Sequence, residues 1–252
     1  MRKLSITAII SLLLVLSLLG ACAARSEIPL DEEIPTVITD KEEIDWSYID
    51  SFVFLGESTT YHLKSRGVLT GGTQTTQVWG PESGTVNLDS TIASLKIIYP
   101  ETGEQMPLSE ALLRKRPTRI LLCFGLNGAV AKYRRGKDSF QGCYRVLLDM
   151  VREHSPTTEI YLQSAFPVAQ NMDMSAYSVD IDTLNAYIET INSWTRELAD
   201  EYGAYYLNTA EILKDDAGRL LTEFQCGDGH HLTTEAYLKI LSYITEKKGD
   251  MK

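Results

Sequence analysis

Ile120-Leu121-Leu122-Cys123-Phe124 runs straight into Gly125-Leu126-Asn127-Gly128, and this stretch decides the fold. Five apolar residues without alternation mark a strand buried on both faces of a parallel sheet. Upstream, Ser109 is placed to cap a helix through Leu112 and Leu113 that stops at Pro117. Before it, Leu95-Lys96-Ile97-Ile98-Tyr99 alternates as a strand, Thr76–Trp79 reads as a weaker one, and Phe52-Val53-Phe54-Leu55 forms the first, ending at Gly56. A helix is expected around Tyr61.

Downstream, Phe140, Tyr144, Leu147 and Val151 recur at helical spacing up to Pro156. Ile160-Tyr161-Leu162 is the next strand. Leu184, Tyr187, Ile188, Ile191, Trp194 and Leu198 share one face of a longer helix that Gly203 ends. Ala204–Leu207 is a further strand, and Ala236, Tyr237, Ile240, Leu241 and Ile244 lie on a terminal helix. Strands interleaved with crossover-length helices predict an α/β fold, its mostly parallel sheet covered on both faces.

The 252 residues are 44% hydrophobic and 23% charged, which excludes a collagen-like or wholly disordered chain. A net charge of −10 argues against nucleic acid as a partner, because phosphate binding needs a basic stripe. The first residues read as an address. Arg2 and Lys3 precede an uncharged apolar run from Leu4 to Ala21, so residues 1–21 have the layout of a signal peptide.

Leu19-Gly20-Ala21-Cys22 resembles a bacterial lipoprotein lipobox, in which Cys22 is acylated and becomes the new N-terminus. A membrane-spanning helix is the plainer alternative. Residues 23–50 hold nine acids against Arg25 and Lys41, with Pro29 and Pro35. Residues 22–50 are therefore expected as a lipidated cysteine and solvated tether, and 51–252 as the folded domain. Of the remaining cysteines, Cys123 belongs to the core, while Cys143 and Cys226 could pair. No C-x-x-C occurs, so a zinc ribbon is not expected.

Ligand chemistry in such a sheet belongs to loops at strand carboxyl ends. Three loops stand out: Gly56-Glu57-Ser58-Thr59, Gly125-Leu126-Asn127-Gly128, and Asp228-Gly229-His230-His231 just before the last helix. In that order they resemble the blocks of the SGNH, or GDSL, hydrolases, over about Phe52 to Tyr237.

The resemblance implies a flavodoxin-like three-layer α/β/α sandwich, with no metal and no cofactor. It implies Ser58 as nucleophile, His231 as the base that accepts its proton, and Asp228 as the acid that orients the imidazole. The Ser58 N–H and the Asn127 amide would form the oxyanion hole, with Gly80 or Gly84 adding a third donor. The expected substrates are small acyl esters of carbohydrate, or lipid esters, cleaved beside the membrane that the lipid anchor reaches. A catalytically silent binding lipoprotein is the alternative. Two residues depart from the family pattern. Glu57 replaces its aspartate, either anchoring its loop through backbone N–H groups or reaching the active centre, and Gly128 replaces its acid after Gly-x-Asn.

Each block also has a plainer reading. Ser58 could cap a helix, Asn127 occupy a turn, and Asp228-Gly229 signal one. Cys226, Asp228, His230 and His231 are all metal-ligand types, though no distant ligand set accompanies them. His62 and His154 are expected at the surface, and Tyr61 and Trp79 in the core.

Overall fold

The computed structural model describes residues 44–249, so the expected signal peptide, Cys22 and most of the expected tether lie outside the described residues. Five strands form the main sheet: β1 (Phe52–Gly56), β2 (Val78–Trp79), β5 (Arg119–Cys123), β6 (Glu159–Gln163) and β7 (Tyr205–Leu207). Their spatial order is β2-β1-β5-β6-β7 and every pairing is parallel. In β1, Phe52 and Phe54 face one side while Val53 and Leu55 face the other, and all four are buried. β5 repeats the pattern with Leu121 and Cys123 against Ile120 and Leu122. Double-sided burial is why these strands are apolar at consecutive positions.

Helices α3 (Leu108–Lys115), α5 (Lys137–His154) and α6 (Ile181–Tyr202) cover the Val53 face. One-turn α1 (Trp46–Ile49), α2 (Ser58–Ser65) and α7 (Thr234–Glu246) cover the Phe54 face. The layers are helix, sheet, helix. A short α4 (Ala129–Arg135) follows the β5 loop and leans on α6, its Tyr133 ring stacked 3.7 Å from that of Tyr187.

The structure corrects several sequence expectations. Leu95–Tyr99 does supply a strand, β3 (Lys96–Ile98), but it pairs antiparallel with β4 (Gln105–Pro107) in a separate two-stranded sheet. Only Ile97 and its partner Met106 are buried there, the one-sided alternation typical of antiparallel pairs. Helix α3 begins at Leu108 behind Pro107, so Ser109 lies inside it and caps nothing. Arg116 ends it in a left-handed turn at φ 46°, and Pro117 disfavours a further helical residue there.

Residues 44–50, expected as the end of the 22–50 tether, belong to the packed domain. Asp45 caps α1 by accepting the Tyr48 N–H, and Ile44, Tyr48 and Ile49 are buried against the Phe54 face. Ile44, ahead of the Asp45 cap, is buried in the same cluster as Tyr48 and Ile49 of α1, so the packed domain already includes Ile44. Cys143 and Cys226 do not pair: among the described residues both are free, as is buried Cys123.

Candidate active site

The chain leaves β1 for β2 on one side and later returns to β5 on the other, so the strand order reverses between β1 and β5. A crevice opens at the carboxyl ends of the strands at such a switch point. Gly56 ends β1 directly opposite Cys123, which ends β5, so the Ser58 and Asn127 loops emerge side by side. A Cβ at Gly56 would lie 2.3 Å from Thr60 Oγ1 and 2.5 Å from the Cys123 carbonyl, so only glycine lets β1 turn into α2 here.

Ser58 is the first residue of α2, with Glu57 at the cap position. Its hydroxyl does not cap the helix; Ser58 Oγ lies 3.1 Å from His231 Nε2. Its N–H, like the first N–H groups of any helix, has no intrahelical acceptor and sits at the positive end of the dipole. The Tyr237 hydroxyl donates to the Thr59 carbonyl at 2.7 Å, tying the helix that Ser58 opens to α7. Helix α7 begins just after His231, so one helix steadies both ends of the Ser–His pair.

His231 Nδ1 is 2.7 Å from Asp228 Oδ2, while Asp228 Oδ1 accepts the backbone N–H groups of His231 (2.9 Å) and His230 (3.0 Å). Burial works against ionising Asp228, but these N–H donors and the His231 ring outweigh it and hold its carboxyl well below the usual range. An ionised carboxylate only accepts, so Nδ1 carries the imidazole proton and Nε2 is left to receive one from Ser58. This loop does not follow a sheet strand. It is held by the Gln225 side chain, which accepts the Gly227 and Gly229 N–H groups, and by the Ala169 N–H, which donates to the Gly229 carbonyl.

Asn127 stands across the switch point, its Nδ2 donating to Thr85 Oγ1 at 3.2 Å and keeping one further hydrogen. Glu57 fixes this loop. Its carboxylate, only 2% exposed, accepts the N–H groups of Gly125 (3.1 Å), Leu126 (3.0 Å) and Asn127 (2.9 Å). Lys132 closes the group, reaching Glu57 Oε1 at 3.4 Å and donating to the Asn127 carbonyl. Glu57 thus anchors the neighbouring loop and makes no hydrogen bond to His231. Gly128 opens α4 at φ 66°, a left-handed conformation in which a side chain is strained.

Of the two candidate glycines, Gly84 has its N–H engaged by Pro81 O, although Thr85 beside it touches Asn127. The Gly80 bond is made by its carbonyl, which accepts from the Ile98 N–H and leaves the Gly80 N–H the freer donor. Trp79 is in the core as expected, but Tyr61 is 37% exposed, against the Gly84 turn.

Sequence reasoning missed His62, which is half-buried and not an ordinary surface residue. Its ring centroid is 4.5 Å from that of His231, and its Nδ1 is buried without a hydrogen-bond partner. Burial, and then the charge on His231, lower its pKa to about 4. The available signal was the four-residue spacing from Ser58, which puts both on one face of α2.

Asp228, His230 and His231 present ligand atoms within 4.8 Å of one another, enough to hold a metal ion. Cys226 is not among them; its thiol donates to the Leu232 carbonyl.

A hydroxyl, an imidazole and a carboxylate in hydrogen-bond sequence, beside an amide and a helix N-terminus, define the constellation of a serine hydrolase. The family model of the GDSL-like lipase/acylhydrolase family matches residues 54–239, and the chain belongs to that family of carboxylic ester hydrolases. No curated protein matches the chain.

Among solved structures it is similar to a GDSL-like lipase from Bacteroides thetaiotaomicron, with 13% identity, a TM-score of 0.51, and 81% of this chain and 90% of that one covered. An aryl esterase from M. smegmatis gives 13% identity and a TM-score of 0.51 over 80% of this chain and 99% of the other. A carbohydrate acetylesterase from Sinorhizobium meliloti gives 13% identity and 0.50 over 80% and 99%. At these identities the likeness is one of fold.

Proposed function

We propose that this protein is a serine esterase that removes small acyl groups from carbohydrate, or cleaves lipid esters, through an acyl-enzyme. The observation that carries the reading is the unbroken contact from Ser58 Oγ through the His231 ring to Asp228. Ser58 attacks the ester carbonyl as His231 Nε2 takes its proton, and Asp228 stabilises the imidazolium that results. The oxyanion of the tetrahedral intermediate is met by the Ser58 N–H and the Asn127 amide. His231 then protonates the departing alcohol, and water enters by the reverse sequence to release the acid.

Carbohydrate is favoured as the acceptor by the crevice being open, with its triad acid exposed and its histidine half-exposed. The N-terminal sequence favours a site of action at the extracytoplasmic membrane face, with Cys22 carrying the lipid. No helix among the described residues is long and apolar enough to cross a membrane.

The test is covalent. A fluorophosphonate should label the wild-type chain at Ser58, and p-nitrophenyl acetate should give a burst of nitrophenol. A chain that binds acylated glycans saturably while showing neither would be the silent binding protein. Radiolabelled palmitate incorporated into the wild type but not into Cys22→Ala checks the anchor.

A further inference from the structure

Helix α4 gives this acidic chain a local positive face. Lys132, Arg134, Arg135 and Lys137 fall within six positions of a protein whose net charge is −10. Lys132 is engaged with Glu57 and Lys137 with Glu197. Elsewhere Arg114, Arg119, Arg145 and Arg219 hold carboxylates, and Arg152 and Arg196 lie over tyrosine rings. Arg134 and Arg135 do neither. Both are exposed, and neither has an ion pair or hydrogen bond among the described residues. Asp89, whose charge reaches Arg135 through space, is itself hydrogen-bonded to Thr91.

These two guanidinium groups line an open cleft of about 490 Å³ that starts at Gly128, the residue after Asn127. Tyr177 and Ser178 form its opposite wall. That wall continues a segment bound to the triad loop, through the Ala169 N–H on the Gly229 carbonyl and Asn171 on the Gly227 carbonyl. Along the chain, one wall of the cleft is therefore continuous with the Asn127 loop and the other with the segment that holds the His231 loop. The Tyr133–Tyr187 stack fixes α4 against α6 and leaves the arginines as the charged lining.

We propose that this cleft is a subsite for a carboxylate or phosphate on the ester substrate, held by Arg134 and Arg135, so that the natural substrate is an O-acylated anionic glycan or polyol. The proposal rests on the esterase reading of the adjoining site. At 1.5 Å per helical residue, the six or seven residues from Gly128 to the arginines place the anion roughly 10 Å from the oxyanion loop. That is the span of a sugar unit or two, too far for the acyl group of a simple acetate. Guanidinium forks suit both carboxylate and phosphate, and in an exposed cleft their pull weakens with salt.

The experiment compares kcat/KM on three O-acetylated oligomers: neutral xylo-oligosaccharide, galacturonate oligosaccharide and glycerol phosphate oligomer. At 20 mM NaCl the wild type should favour at least one anionic oligomer over the neutral one by tenfold or more. Arg134→Gln with Arg135→Gln, or 0.5 M NaCl, should erase that ratio, and the ratio does not depend on the fraction folded. Which oligomer is favoured tells carboxylate from phosphate. A wild type without anionic preference, or a double variant with an unchanged ratio, overturns the subsite.

Calorimetry on Ser58→Ala with the same oligomers reads the cleft apart from turnover. Salt-sensitive binding that the arginine substitutions abolish supports the subsite even if the esterase reading fails. No binding of either anion overturns it, even if Ser58 is labelled.

Discussion

Glu57→Gln separates an anchoring carboxylate from a catalytic one. Glu57 Oε2 accepts from Leu126 and Asn127, and Oε1 from Gly125 and Lys132. The amide keeps one acceptor oxygen. If that oxygen serves Leu126 and Asn127, the new NH₂ group faces the Gly125 N–H and the Lys132 ammonium. A buried donor left without an acceptor costs about 1–3 kcal/mol, and a buried cation deprived of its partner adds to that. Lys132 keeps the Asn127 carbonyl, which limits the second cost. A total of about 3 kcal/mol, at roughly 2–4 °C per kcal/mol for a domain of this size, lowers the melting temperature by roughly 6–12 °C.

Because Asn127 rides on the same loop, kcat should fall by roughly tenfold, less than the loss expected on removing an oxyanion donor outright. Glu57→Asp keeps both oxygens and should stay active. The assay pairs thermal melts with kcat on p-nitrophenyl acetate from pH 5 to 9. Anchoring leaves the acid limb of that profile where it was. An unchanged melt together with an acid limb moved to lower pH would refute the reasoning, and would put Glu57 in the electrostatics around His231.

Ser58→Ala and His231→Ala should each lower kcat by several powers of ten, with the double variant little worse than either. His230→Ala should cost far less; equal loss there, or rescue by added zinc, would point to the Asp228–His230–His231 cluster as a metal site. Asn127→Ala should lower kcat by roughly 10²–10³ with an unchanged melt, whereas a mere turn residue would lose stability and keep its turnover. His62 titrates at about 4 in the folded chain against an ordinary 6.5, so between these values the unfolded chain binds the extra proton. Its contribution to stability is complete above pH 6.5 and is lost as pH falls toward 4; His62→Phe should flatten that part of a melting-temperature profile, and an equal slope in both proteins would contradict the burial argument.

How far the sequence could be read depended on whether an element's signal was local. β5 announced itself because five consecutive apolar residues have one explanation, and α6 because its apolar face repeats over about four turns, from Leu184 to Leu198. Helix α4 escaped notice: it is seven residues long and follows a glycine that offers no capping side chain. Helix α1 was hidden by the acids around Ile44, Tyr48 and Ile49. In the site, the residue types of the three blocks were readable because the chemistry demands them. Lys132 was not, since it meets Glu57 across 75 positions and a lone lysine carries no pattern. His62 carried one, the spacing from Ser58, but a single histidine on a helix is ordinary until its neighbour is known.

The three site loops are held in different ways, and this sets how each can fail. The Ser58 and Asn127 loops inherit their spacing from the Gly56–Cys123 pairing, a ladder in the middle of the sheet, and Glu57 then ties one to the other. Parallel strands buried on both faces hardly move without unfolding, so the distance from Ser58 to Asn127 is a property of the core. The His231 loop has no strand beneath it. It depends on the Gln225 side chain, the Ala169–Gly229 bond and the docking of α7 through Tyr237. Gly229, at φ 82°, leaves no room for a Cβ, which would meet the Met172 backbone at 2.6 Å. A side chain there would push the loop off the segment that also walls the arginine cleft. On the proposed roles, the loop that carries the proton rests on side-chain and backbone contacts, while the loops that hold the carbonyl rest on the sheet. A hydrolase that accepts varied alcohols around one acyl geometry would divide its supports in this way.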